Sequence, residues 1–134
     1  ILTETVASPK HVAGLMLCRK PESAPANFAR QLIAELKTHN QPTEPFNLVI
    51  KMLGLKGPHW EADRQFDIDQ HVFYHKPKKT ISWNEVQEFI ARLHEPLLDR
   101  SRPLWEYHLV DGIEGGRFRD PGENLLSGDA EPEE

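Results

Sequence analysis

His71 and His75 stand four residues apart, the spacing at which two imidazoles on a helix would face one metal ion. Asp67 and Asp69 place carboxylates just before them. The intervening Val72-Phe73-Tyr74 reads as extended chain, however, and along a strand the two rings would stand about 13 Å apart. No metal site is expected, because ligand geometry and distance decide such sites. A second candidate is His108-Leu109-Val110-Asp111-Gly112, which spells His-x-x-Asp-Gly. On a strand, an odd separation puts Asp111 on the opposite face from His108. His108 is therefore read as a strand histidine at a lobe surface and not as a catalytic base. Arg100 and Arg102 flank a link where they can pair with Asp99 and Glu106, and solvated charge is the ordinary outcome there. Lys76-Pro77-Lys78-Lys79 is a small basic loop and reads as solvated.

Composition narrows the classes. With 38% apolar and 28% charged residues and 11 prolines, the chain is globular but on the polar side. Its 134 residues fit one domain or one lobe of a larger one. The net charge of −5 is local: residues 119–134 hold one Arg against six acids, leaving 15 basic and 15 acidic residues in the rest. A balanced body offers no bulk charge for nucleic acid, and none is expected as a partner. The single cysteine, Cys18, permits no internal disulfide and fits a reducing, cytoplasmic setting. It lies in an apolar run and is read as a small core residue. No window approaches the ~20 apolar residues of a membrane span. The chain starts at Ile1, which suggests a processed chain or a piece.

The elements that must position these residues are a mixture of helices and strands. His11–Cys18, between Pro9 and Pro21, reads as a short buried strand. Phe28, Leu32, Ile33 and Leu36 recur at helical spacing, giving an amphipathic helix of about three turns. Phe46–Leu55 fits a strand or a short helix. From Trp60 to His75 the alternation of Phe66 and Ile68 with acids, resumed by Val72 and Tyr74, favours an extended course. Ser82-Trp83-Asn84-Glu85 is a capping box, with Ile81 and Val86 placed as a hydrophobic staple. Val86, Phe89, Ile90 and Leu93 continue it as a helix that Pro96 stops. A strand follows from Leu104, with Trp105, Tyr107 and Leu109 on one face and Leu104, His108 and Val110 on the other. Gly115-Gly116 suits a two-residue hairpin turn, since both positions tolerate positive φ. No return strand is legible beyond it, and residues 119–134 read as a disordered acidic tail.

Three stretches in order resemble the bacterial wax ester synthase/diacylglycerol acyltransferase family. They are Pro9–Leu15, then Phe66-Asp67-Ile68-Asp69-Gln70-His71, then Leu97-Leu98-Asp99-Arg100 running into Arg102-Pro103-Leu104-Trp105-Glu106. His108–Gly115 and Arg117-Phe118 continue the likeness, which covers roughly residues 1–118. Pro103-Leu104-Trp105 is a signature of that family. The resemblance implies an α/β (α+β mixed) fold like that of chloramphenicol acetyltransferase and condensation domains, here an incomplete N-terminal lobe over 1–118.

The family transfers an acyl group from acyl-CoA to diacylglycerol or a long-chain alcohol, with no cofactor beyond acyl-CoA as co-substrate. A His-His-x-x-x-Asp-Gly motif carries the chemistry and closely follows the Arg-Phe pair. Here the sequence departs at Arg119, and the motif, its strand and the second lobe are absent. No catalytic residue is therefore expected in this chain, which is predicted to be inactive alone. Pro103, Leu104 and Trp105 are the substrate-channel candidates, set against a plain packing role in which Trp105 fills core between helix and strand. Peripheral association with the inner membrane or with lipid inclusions is implied by the family's substrates. The alternative is a non-catalytic module that binds lipid inclusions or a partner. A condensation-domain relative acting on carrier-bound acyl groups is disfavoured by Pro103-Leu104-Trp105.

Overall fold

The computed structural model describes residues 4–52, 54–55 and 57–114. Two helices and four short strands alternate within them: α1 (Phe28–Lys37), β1 (Leu48–Lys51), β2 (His59–Ala62), β3 (Val72–His75), α2 (Trp83–His94) and β4 (Tyr107–Val110). A 3-10 turn, Ile68–Gln70, precedes β3. Strands β1 and β2 form an antiparallel hairpin with Leu48 opposite Ala62 and Lys51 opposite His59. Strands β3 and β4 pair in parallel, Val72 beside Tyr107 and His75 beside Val110. A parallel pair needs a crossover of a dozen or more residues, and α2 supplies it.

The reason α2 begins where it does is visible atom by atom. The Ser82 hydroxyl accepts from the Glu85 amide at 3.3 Å, and the Glu85 carboxylate accepts from the Ser82 amide at 2.8 Å. The predicted capping box is therefore formed, and Val86 beside it is 1% exposed. On α1 the buried residues are Ala29 and Ile33, while Leu32 is 40% exposed. Helix α1 packs against β3. Alternation sends Phe73 and His75 to one face of β3, where Phe89 of α2 meets His75 edge-on at 4.8 Å. Val72 and Tyr74 take the other face, and Arg30 of α1 acts electrostatically on Tyr74.

Several expectations are corrected. Residues 9–21 form no strand, and Val12, Leu15 and Met16 are exposed. Cys18 is exposed too, so it is not a core residue. An apolar run becomes a strand only where a neighbouring ladder takes its amides and carbonyls, and no described strand lies beside this one. The ambiguous Phe46–Leu55 contains β1. The extended course from Trp60 to His75 is broken by the 3-10 turn, where the Asp67 carboxylate accepts from the Asp69 amide at 3.0 Å. Strand β4 starts at Tyr107 and not at Leu104, because Pro103 and the turn it shapes occupy the residues before. The Gly115-Gly116 hairpin and the tail over 119–134 lie outside the described residues.

Replacing Ser82 by Ala is expected to cost about 1 kcal/mol, measured by urea denaturation. Ser82→Asp, which keeps an acceptor at the cap, is expected to stay within a few tenths of the parent.

Candidate functional site

Pro103 is buried, Leu104 and Trp105 half-buried, and all three lie in the link between α2 and β4. Asp99 opens that link by turning the chain on itself: its carboxylate accepts from the Ser101 amide at 2.9 Å and from the Arg102 guanidinium at 2.8 Å. The Ser101 amide first, then its hydroxyl and Arg102, hold the Asp99 pKa at about 2. Arg102 also reaches the Gln70 amide oxygen at the end of the 3-10 turn. The expected Asp99–Arg102 pair is thus present. Glu106, in contrast, turns to His108, and Arg100 meets Glu4 at 3.4 Å.

Trp105 is fixed by neighbours on three segments. Its indole N–H donates to the Phe46 carbonyl at 2.7 Å. Its carbonyl accepts from Nδ1–H of His71 at 2.8 Å. Its ring stacks on His71 at 4.5 Å, and His71 stacks in turn on Phe66 at 4.8 Å. Phe46 meets Trp105 edge-on at 6.1 Å. Trp105 therefore packs on loop residues that flank β1 and β3, not between helix and strand as the packing expectation had it. The aromatic cluster fixes the plane in which the Pro103-Leu104-Trp105 segment presents itself.

His71 is the residue on which this depends, and sequence reasoning did not single it out for that role. It is 1% exposed. Its backbone carbonyl accepts the first amide of β4, Tyr107, at 2.6 Å, while its ring holds the Trp105 carbonyl two residues earlier. A usable signal was present in the run Phe66–His71, where an aromatic and a histidine close an acidic segment.

His75 serves other partners. Its Nε2 lies 3.0 Å from Nδ1 of His108, whose Nε2–H donates to Glu106 at 2.9 Å. His71 and His75 thus do not share a ligand site, and among the described residues no three His, Cys, Asp or Glu side chains converge as a metal cage. Burial first, and then the neighbouring His108, hold the His75 pKa below its ordinary value. His108 stacks on Phe73 at 4.7 Å, half-buried in the sheet face toward α2. Asp111 faces the other way, as its register requires. It is 6% exposed and accepts from Tyr74 Oη at 3.0 Å and from Lys20 Nζ at 2.7 Å, with Lys76 at 3.9 Å. Burial alone would raise its pKa, but Lys20, Tyr74 and the Gly112 amide hold it below the ordinary value. Gly112, at φ 82°, then lets the chain turn back so that Ile113 lies beside Ile81. Lys79 stands 3.9 Å from Glu85 and is 82% exposed, as a solvated basic loop requires.

A second buried carboxylate, Glu4, closes the structure at its other end. It accepts from the amides of Lys10 and His11, from the His11 ring at 3.2 Å and from Arg100. The Lys10 amide is the largest cause of a pKa lowered to about 2. The His11 ring stacks on His94 at 4.3 Å and bonds the His94 carbonyl with its other nitrogen.

A parallel βαβ unit with a helix on the opposite face, joined through a Pro-Leu-Trp link, defines a mixed α/β lobe of the chloramphenicol-acetyltransferase-like kind. The chain belongs to the wax ester synthase/diacylglycerol acyltransferase catalytic-domain family, whose model matches residues 1–119. It is 35% identical over 111 residues to an O-acyltransferase of Acinetobacter baylyi, covering 82% of this chain and 23% of that one. It is 34% identical over 121 residues to a putative diacylglycerol O-acyltransferase of Mycobacterium tuberculosis, covering 88% of this chain and 24% of that one. The solved wax ester synthase/diacylglycerol acyltransferase of Marinobacter aquaeolei superposes with a TM-score of 0.65 at 32% identity, over 72% of this chain and 23% of that one. The chain spans about a quarter of the length of these relatives.

Because the Glu4 pKa falls from 4.5 to about 2 on folding, Glu4 contributes stability above pH 4.5 that is lost as pH falls toward 2. Urea denaturation across that window is expected to show stability falling with pH, less steeply in Glu4→Gln. His71→Leu is expected to cost about 2 kcal/mol, since it leaves the Trp105 carbonyl without its donor and removes a stacked ring. His71→Asn, which keeps a donor near Nδ1, should recover part of that loss and of the near-UV tryptophan signal.

Proposed function

We propose that this chain is the N-terminal lobe, residues 1–118, of an enzyme that moves a fatty acyl group from acyl-CoA to the hydroxyl of diacylglycerol or a long-chain alcohol. The observation that carries the reading is the family match over residues 1–119 together with the Pro103-Leu104-Trp105 link. In such a transfer a base takes the hydroxyl proton and the oxygen bonds to the thioester carbonyl carbon. A tetrahedral oxyanion forms, the C–S bond breaks, and the leaving CoA sulfur takes up the proton. A base near neutral pKa and donors aimed at the oxyanion lower the barrier.

No two histidines are adjacent anywhere in the 134 residues, so the His-His-x-x-x-Asp-Gly constellation is not supplied by them. The contribution of this lobe is a wall. Pro103 fixes the link, Trp105 is clamped by His71 and Phe46, and Leu104 between them is the side chain placed to touch an acyl or alkyl chain. Peripheral contact with a membrane or lipid inclusion belongs to the same reading, and no described helix is long and apolar enough to cross a bilayer.

A second reading, a non-catalytic module that binds a partner or a lipid surface, is favoured by one observation. Val12 is 93% exposed, Met16 83% and Leu15 57%, an apolar strip unlike an ordinary solvent face. Sedimentation with lipid emulsions tests this second reading: a stable monomer that stays out of the lipid fraction counts against it.

Purified alone, the 134-residue chain is expected to give no transfer from a long-chain acyl-CoA to hexadecanol or diacylglycerol above a heat-killed control. Substituted for the matching segment of the Acinetobacter relative, residues 4–114 should support turnover. In that chimera Leu104→Trp should shift alcohol preference toward shorter chains by about tenfold, the lower end of what one methylene is worth in an apolar pocket. Turnover by the isolated chain, or an unchanged chain-length profile, would count against the proposal.

A further inference from the structure

Glu106, His108 and His75 lie in one line across β4 and β3, and the roles of their atoms are forced. The Glu106 carboxylate only accepts, so Nε2 of His108 carries a proton toward it at 2.9 Å. In the neutral ring Nδ1 of His108 is then a lone pair, and it accepts from Nε2–H of His75 at 3.0 Å. That leaves Nδ1 of His75 as the lone pair at the end of the line, and no described residue bonds to it. The two imidazoles are nearly coplanar, 16° apart with centroids at 5.2 Å, as an in-plane N–H···N bond requires. Phe73 stacks on His108 and Phe89 of α2 meets His75, so the line runs in an apolar slot. The His108 side chain is 20% exposed and that of Glu106 is 32%, which puts the carboxylate at the wetter end.

We propose that Glu106, His108 and His75 form a single proton-accepting site, with Nδ1 of His75 as its acceptor atom and room for one proton, not two. A proton added at Nδ1 of His75 breaks no bond: both N–H donors stay in place, and the net charge of the three groups goes from −1 to 0. The new imidazolium is balanced through His108 by the Glu106 carboxylate. Among the ring nitrogens a second proton has only Nδ1 of His108 to occupy. There it displaces the His75 bond and sets two imidazolium rings side by side. The other ionisable groups near these strands are Tyr107, Asp111, Lys20, Lys76 and Tyr74, with Arg30 of α1 beyond them. All belong to the opposite face of the sheet. From α2 the side chain that faces the site is the uncharged Phe89. The site therefore stands apart from the residues assigned to the channel wall, although Glu106 follows Trp105 directly in the chain. It is not assigned as the base of the acyl transfer.

Histidine side-chain nitrogen NMR on the full chain tests this. The expected spectrum shows both His75 and His108 as Nε2–H tautomers at pH 8. On acidification the first proton should appear on Nδ1 of His75, with both Nε2–H protons retained. Glu106→Gln, a substitution at an exposed position, should lower the first step by about 0.5–1 unit, since it removes the balancing charge. His108→Phe keeps a ring on Phe73 and should leave His75 titrating in one step. An Nδ1–H tautomer at either ring at pH 8, or a His75 protonation insensitive to Glu106→Gln, would overturn the proposal. The tautomer measurement needs no variant and stands even if His108→Phe does not fold.

Discussion

The double use of His71 is the constraint on which the described structure depends. Its carbonyl takes the first amide of β4, and its ring takes the carbonyl of Trp105, so one residue sets both the register of a parallel pair and the shape of the link that feeds it. Parallel strands receive no help from a tight turn, and the chain must be brought back across a helix before any ladder bond forms. A buried residue that grips the returning chain at two points offsets part of that entropic cost. The stacked Phe66 and Trp105 rings make the grip directional, because they leave the imidazole little freedom to rotate.

Around that junction, polar residues do the work that a larger apolar core would otherwise do. The buried apolar side chains among the described residues are Ala29, Ile33, Val49, Val72, Val86 and Pro103, which is little for this length. Glu4 and Asp111 supplement them as buried carboxylates, each drawing the irregular segment of residues 4–20 onto the rest: Glu4 through His11 and Arg100, Asp111 through Lys20. Between these ion pairs Val12, Leu15 and Met16 stand open to solvent.

The parts legible in the sequence were those fixed by neighbours along the chain. The capping box at Ser82, the apolar stripe of α2, the Asp99–Arg102 pair and the opposite facing of His108 and Asp111 all follow from local geometry. What escaped was decided by contacts distant in sequence. Residues 11–18 have the composition of a strand, but composition supplies no partner, and Cys18 is exposed for that reason. His71 looked like half of a pair with His75, while its true neighbours, Phe66, Trp105 and Tyr107, are set by the crossover. The family likeness drew attention to Trp105 as a channel residue or a core filler. The structure adds that its ring and both its backbone and indole polar groups are already engaged.

Amide hydrogen exchange followed residue by residue on the whole chain tests the central claim, that His71 anchors β4 to β3 while the apolar run Val12–Cys18 takes no part in a ladder. The account predicts slow exchange at Tyr107 and Asp111, whose amides donate to His71 and His75, comparable with Val86 in α2. It predicts fast exchange throughout Val12–Cys18. Fast exchange at Tyr107, or protection across Val12–Cys18 equal to that of β4, would contradict it.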